Sequence, residues 1–127
     1  MSRTPRHHPD LGYGRPMPWI NMTGGPSVSE LEPARWHPYA ACTGSATWAW
    51  FTDGKGLRTR DRVRTCEECP VRRTCLASAL VYAEEYGVWG GLIPSRRRPL
   101  LSALAAGARL GDVLDSALRT RQGRDVA

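Results

Sequence analysis

The four cysteines of this chain, Cys42, Cys66, Cys69 and Cys75, constrain its fold more than any other feature. A lone upstream cysteine precedes a Cys-x2-Cys pair, and a fourth follows after five intervening residues. Thiolates are soft ligands suited to zinc or to the iron of an iron–sulfur cluster. A Cys-x2-Cys pair lets two sulfurs reach one centre with little loop-closure entropy to overcome. All-thiolate zinc modules usually offer two short Cys-x2-4-Cys knuckles. Here the second half is stretched and the first cysteine stands alone, so the spacing leans towards iron–sulfur while zinc stays open. His7, His8 and His37 are not spaced as ligands and are read as bystanders.

The cysteine count is informative only if the thiols are reduced. No run approaches the roughly 18 apolar residues of a membrane span, and the N-terminal stretch lacks a signal-type apolar run. A cytoplasmic protein without membrane contact is therefore expected, and there four cysteines indicate a metal or redox site rather than disulfides. At 127 residues the core is small enough to need a staple, which a metal centre would supply. The net charge of +6 favours an acidic partner such as nucleic acid. Lys55 is the only lysine among 18 basic residues, and the arginines suit bidentate phosphate or base contacts.

The pattern predicts an all-α fold: a small helical domain built around the cysteine site, with a disordered arm before it and a basic helical tail after it. Residues 1–33, rich in Pro, Gly and Ser, form the arm, from which Trp19 and Ile20 could dock. Residues 34–98 form the domain and 99–127 the tail. Trp48, Trp50 and Phe51 are expected to anchor the core over the site, and Asp53 to Gly56 to make a turn. Arginine at every second position from Arg58 to Arg64 marks an exposed connector or the start of a helix. A helix is predicted from Pro70 to Tyr86, with Val71, Leu76, Ala79, Leu80 and Ala83 at helical spacing and Gly87 as its stop.

Geometry limits how the sulfurs meet. At about 100° per residue, Cys75 lies about 180° from Cys66 on one straight helix, so a single helix cannot aim both inward. A break is expected at Cys69-Pro70, because the residue before proline is pushed out of the α region. Beyond Gly91, apolar residues from Leu100 to Leu118, divided by Gly107 and Gly111, predict two short helices. These form either a helix-turn-helix or a plain helical hairpin.

Gly87, Val88, Trp89, Gly90 and Gly91 make a turn in which glycines allow positive φ and a rigid aromatic is offered to a partner, or buried to close the helix. A thiol–disulfide reductase using Cys66 and Cys69 is the enzymatic alternative. It would want a thioredoxin-like βαβ scaffold, and no strand pattern surrounds the pair. A non-enzymatic role is therefore expected.

Cys42, then Cys66-Glu-Glu-Cys69-Pro-Val-Arg-Arg-Thr-Cys75, then Glu85-Tyr-Gly-Val-Trp-Gly-Gly-Leu92, resembles the WhiB-like regulators of actinobacteria and their phages over roughly residues 34–98. The resemblance implies a [4Fe-4S] cluster on Cys42, Cys66, Cys69 and Cys75. It also implies a redox- or nitric-oxide-responsive transcription regulator that contacts the primary sigma factor, here through Gly87 to Gly91. Arg96, Arg97 and Arg98, followed by Pro99, loosely match the basic hook with which some members grip DNA. A competitor that occupies the sigma factor without reading DNA is a further form the resemblance admits.

Overall fold

Six consecutive residues of one helix, Leu76 to Val81, are buried, because apart from Ser78 they carry only apolar side chains. A helix apolar on all sides must be wrapped by others. In the computed structural model, which describes residues 15–42 and 56–126, the elements that wrap it are helical, and no strand occurs among the described residues. The described elements are α1 (Pro33–Trp36), α2 (Gly56–Glu67), the central α3 (Arg72–Val81), α4 (Pro94–Ala105) and α5 (Leu110–Val126), with short 3-10 turns at Ser29–Leu31 and His37–Tyr39, and it is α4, α5 and the Ser29–Leu31 turn that pack on α3. Trp48, Trp50, Phe51, the Asp53 turn and the first 14 residues, with His7 and His8, lie outside the described residues.

The main core joins α3, α4, α5 and the N-terminal segment through Ile20, Leu31, Leu76, Leu80, Leu92, Leu104, Leu110 and Leu114. Residues 17–31, expected in a disordered arm, thus form a packed strap. Ile20 docks as anticipated, whereas Trp19 stays half exposed. The Met17 N–H donates to Val81 O at 2.8 Å, and Asn21 pairs with Arg109 as a single parallel bridge. The first amides of a helix lack intrahelical acceptors. In α5 the strap supplies them: Leu110 N–H donates to Asn21 O at 2.8 Å and Gly111 N–H to Thr23 O at 2.9 Å. The backbones approach so closely that a Cβ on Gly111 would stand 2.6 Å from the carbonyl carbon of Gly24. Arg73 tightens the same seam, donating to Gly24 O at 3.1 Å and pairing with Asp115.

Two further expectations change. The boundary at 98/99 falls inside α4, and residues 110–118 are core rather than tail, because Leu110, Val113 and Leu114 are the side chains that cover α3. The pair α4–α5 is a plain hairpin. In a helix-turn-helix the start of the second helix enters the major groove. Here that start is covered by the strap, and Asp112 and Asp115 lie on the exposed side.

Helix α3 begins after Pro70 rather than at it and ends well before Gly87. Its stop is Ala83 at φ 51°. Glu84 N–H donates to Ala79 O at 2.8 Å and Ala83 N–H to Leu80 O at 3.2 Å, the paired bonds of a Schellman cap. Helix α4 closes identically through Ala108 to Ala103 and Gly107 to Leu104, but with glycine at the left-handed position, φ 106°. An alanine there carries a steric cost that glycine avoids. Ala83→Gly is therefore expected to stabilise the fold by about 0.5–1 kcal/mol, and Gly107→Ala to destabilise it by a similar amount. Thermal melts of the two variants check both signs.

Candidate metal centre

The two-helix arrangement demanded by the cysteine spacing is present. Cys66 sits in the last turn of α2, Cys69 follows its end, and Cys75 lies in the first turn of α3. The chain reverses through Cys69 N–H to Cys66 O at 3.0 Å and Arg72 N–H to Cys69 O at 3.2 Å. Cys42 arrives after the His37–Tyr39 turn, and the neighbouring Ala41 N–H donates to Cys69 Sγ at 3.4 Å. Cys42 and Cys66 pack with Val63, Val88 and Ile93, a small apolar cluster separate from the main core. None of the four cysteines is in a disulfide. His37 is exposed and packs its ring edge-on to Trp36.

The sulfurs share one electrostatic neighbourhood. Burial, and then repulsion from Cys69, raises the Cys42 thiol. Burial pushes Cys66 up to about 11, and pushes Cys75 higher still, with the other cysteines adding to it. The backbone amides of Gly91 and Gly90 oppose this, donating towards Cys66 and Cys75 respectively. Among the described residues no three Cys, His, Asp or Glu side chains are gathered to hold a metal ion, so the sulfurs share a neighbourhood rather than a closed ligand shell. As donors they suit a thiolate-ligated metal, because sulfurs that resist ionising alone are stabilised as thiolates by a cation.

Those amides belong to the Gly87–Gly91 turn. Trp89 and Leu92 exchange backbone bonds at 3.1 and 3.0 Å, enclosing Gly90 (φ 59°) and Gly91 (φ 85°), the φ pair of a type I′ turn. Gly90 is required twice, since a Cβ there would lie 2.6 Å from Leu76 Cβ on α3. Gly87, Val88, Gly90 and Gly91 are buried, while Trp89 is half buried with its indole N–H on Tyr86 O at 2.9 Å. Tyr86 beside it is 66% exposed.

The three arginines assigned together to DNA part company. Arg96 and Arg98 are exposed. Arg97 is 1% exposed and donates to Gly87 O at 2.7 Å, Leu92 O at 2.6 Å, Glu84 O at 3.2 Å and Tyr86 O at 3.3 Å. Burial lowers it to about 10, against support from the Glu84 carboxylate. A side chain so enclosed cannot reach a phosphate, so Arg97 leaves the DNA-facing set. Arg72, which was not singled out from the sequence, donates from Nε to Gly90 O at 3.0 Å.

A family profile described as Transcription factor WhiB matches residues 36–100. The chain belongs to the WhiB family of transcription factors. It is 37% identical over 92 residues to transcriptional regulator WhiB2 of Mycolicibacterium smegmatis, covering 72% of this chain and 70% of that protein. It is 38% identical over 72 residues to transcriptional regulator WhiB of Streptomyces coelicolor, covering 57% and 82%. The probable transcriptional regulator WhiB7 of Mycobacterium tuberculosis is 40% identical over 68 residues, covering 53% and 72%. The strap residues before position 36 and helix α5 lie outside the profile match, yet both belong to this WhiB-family protein's core. No helix among the described residues is long and apolar enough to cross a membrane.

The raised thiols set a pH dependence. A thiol whose folded value exceeds its unfolded one favours folding while it stays protonated, and that contribution is lost as pH rises from the unfolded towards the folded value. The metal-free protein should lose stability between pH 9.0 and about 11, the window of Cys66. Denaturant melts across that range check it.

Proposed function

We propose that this WhiB-family protein is a cytoplasmic, non-enzymatic transcription regulator whose Cys42, Cys66, Cys69 and Cys75 hold a [4Fe-4S] cluster. It would contact the primary sigma factor through the Gly87–Gly91 turn and promoter DNA through Arg96 and Arg98. The observation that supports the reading is the placing of Cys66, Cys69 and Cys75 around the reversal between α2 and α3, with Ala41, next to Cys42, donating to Cys69 Sγ and the Gly91 end of the turn packed against Cys66. When bound, such a cluster supplies redox sensitivity and a reaction with oxygen or nitric oxide that ends in its loss. The protein's own residues do the rest. Val63, Val88 and Ile93 shield Cys42 and Cys66. Trp89, rigid and half buried beside exposed Tyr86, is the kind of aromatic that anchors protein interfaces.

The competing thiol–disulfide reductase fits less well. An attacking cysteine needs a lowered thiol, and Cys66 is displaced upwards. Zinc on the same thiols is the alternative cofactor. Metal analysis after purification without oxygen decides between them: iron and acid-labile sulfide at about four each, lost in Cys69→Ala, is the expected result. Stoichiometric zinc without sulfide would exclude the cluster. Trp89→Ala should weaken capture of the sigma factor at least about tenfold without changing metal content.

For DNA, Arg96→Ala with Arg98→Ala should weaken promoter binding and flatten the dependence of log K on log salt by about 2, whereas an unchanged slope would remove DNA from the partners of this segment. Filter-binding or anisotropy titrations at several salt concentrations provide the measurement.

A further inference from the structure

Four large apolar side chains are exposed among the described residues: Trp19, Val28, Tyr39 and Tyr86. Scattered exposure of this kind is ordinary on a protein surface. Tyr86 differs from the other three in how its main chain is held. Its carbonyl oxygen accepts from the indole N–H of Trp89 at 2.9 Å and from Arg97 Nη2 at 3.3 Å. The next residue, Gly87, is buried at φ 88°, and its carbonyl accepts from Arg97 Nη1 at 2.7 Å. The peptide that carries the Tyr86 side chain is thus fastened to α4, while the side chain itself stands 66% exposed. A ring with two rotatable bonds on a fixed backbone has little conformational entropy to lose when a partner covers it.

The bond from Trp89 also divides the polar chemistry of the two aromatics. With its N–H occupied by Tyr86 O, the half-buried indole offers a partner apolar ring surface and no donor. A phenol brings both a ring and a hydroxyl that can donate or accept. The setting selects the class of partner. Aromatic platforms for nucleic-acid bases lie in cationic grooves. Here the exposed residue before Tyr86 is Glu85, and Arg97 behind it is buried on carbonyls, so a phosphate backbone would meet a carboxylate rather than a free guanidinium. A protein surface fits better.

We propose that Tyr86 is a second anchor for the protein partner and the one that gives the contact its direction. Its ring fills an apolar recess of the partner, and its hydroxyl donates to a carbonyl or carboxylate oxygen at the rim of that recess. Trp89 adds apolar area beside it. The proposal rests on the sigma-factor reading above and names a further residue of that contact. A partner acceptor buried against Tyr86 would be left unpaired by phenylalanine, which keeps the ring and lacks the hydroxyl.

The test uses the full chain, loaded without oxygen, with the primary sigma factor as probe and dissociation followed by surface-binding kinetics. Wild type, Tyr86→Phe, Tyr86→Ala and Trp89→Ala are compared. Tyr86→Ala should bind about tenfold more weakly or worse, chiefly through faster dissociation. Tyr86→Phe should lose about two- to tenfold. Metal content and melting temperature should stay at wild-type values in both Tyr86 variants. Wild-type affinity in Tyr86→Phe or in Tyr86→Ala, with Trp89→Ala weakened, overturns the proposal alone. A drop in melting temperature that accompanies the loss of binding would mark the ring as structural and also overturns it. Full sigma-factor affinity in Tyr86→Ala, with weaker binding of a single-stranded oligonucleotide, would make the ring a base platform and overturns it as well. If wild type does not bind the sigma factor, or if none of the three variants changes binding, the proposal falls together with the partner reading.

Discussion

Withdrawing the Arg97 guanidinium from water costs several kcal/mol, and the fold offsets that cost with four carbonyls drawn from one short stretch, residues 84–92, and with the nearby Glu84 carboxylate. That stretch has little else to hold it. Only Val88 and Leu92 supply buried apolar side chains of any size, so its path is set by polar contacts rather than by packing. The dependence then runs outward. The Arg97 contacts hold the two ends of the turn, and the turn brings Gly90 against Leu76 and Gly91 against Cys66. Replacing the guanidinium by an apolar group would leave several buried carbonyls unpaired, each at a desolvation cost larger than the net value of the bond it lost.

The apolar side chains fall into two groups of unequal weight. The larger core of strap, α3, α4 and α5 contains no cysteine, whereas Cys42 and Cys66 sit in the small cluster with Val63, Val88 and Ile93. A chain of this length was expected to need a metal to hold its core together. The strap and α5 remove much of that need by covering α3. A centre on the four cysteines would instead fasten the lobe of α2, Cys42 and the turn to a core that is already built. Loss of the centre would free that lobe rather than melt the molecule.

Much of this was legible in the sequence. The cysteine spacing and the 3.6-residue period together required two helices meeting at Cys69-Pro70, and they meet there. Gly107 announced the end of α4 because glycine is the usual residue in a left-handed cap. Ala83, which makes the same cap at the end of α3, gave no such signal, so the helix was expected to run on to Gly87. The strap was illegible for a different reason. Its contribution is backbone, in carbonyls that accept from the start of α5 and in a Gly24 path that only a second glycine, Gly111, can approach. Composition cannot report an interaction that uses no side chain. Arg97 did leave a trace. The apolar period read backwards from Leu104 through Leu101 lands on residue 97, and the charge there masked an inward-facing position.

That inward position also orients its neighbours. Successive helical residues are about 100° apart, so with Arg97 aimed into the protein, Arg96 and Arg98 emerge on either side of it. Both are exposed, and two helical steps of about 100° leave them about 160° apart around the solvent side of α4. In the proposed function they would therefore straddle a nucleic-acid backbone rather than converge on one phosphate. Their placement is not that of a flexible tail, because the residue between them is bound to the stretch that carries Trp89. A displacement of the turn that pulls on Arg97 would turn the first coils of α4 and carry both outer guanidinium groups with it. In that proposal the three consecutive arginines would divide the work: the middle one is tied to the turn that carries Trp89, and the outer two would present to DNA whatever position that tie imposes.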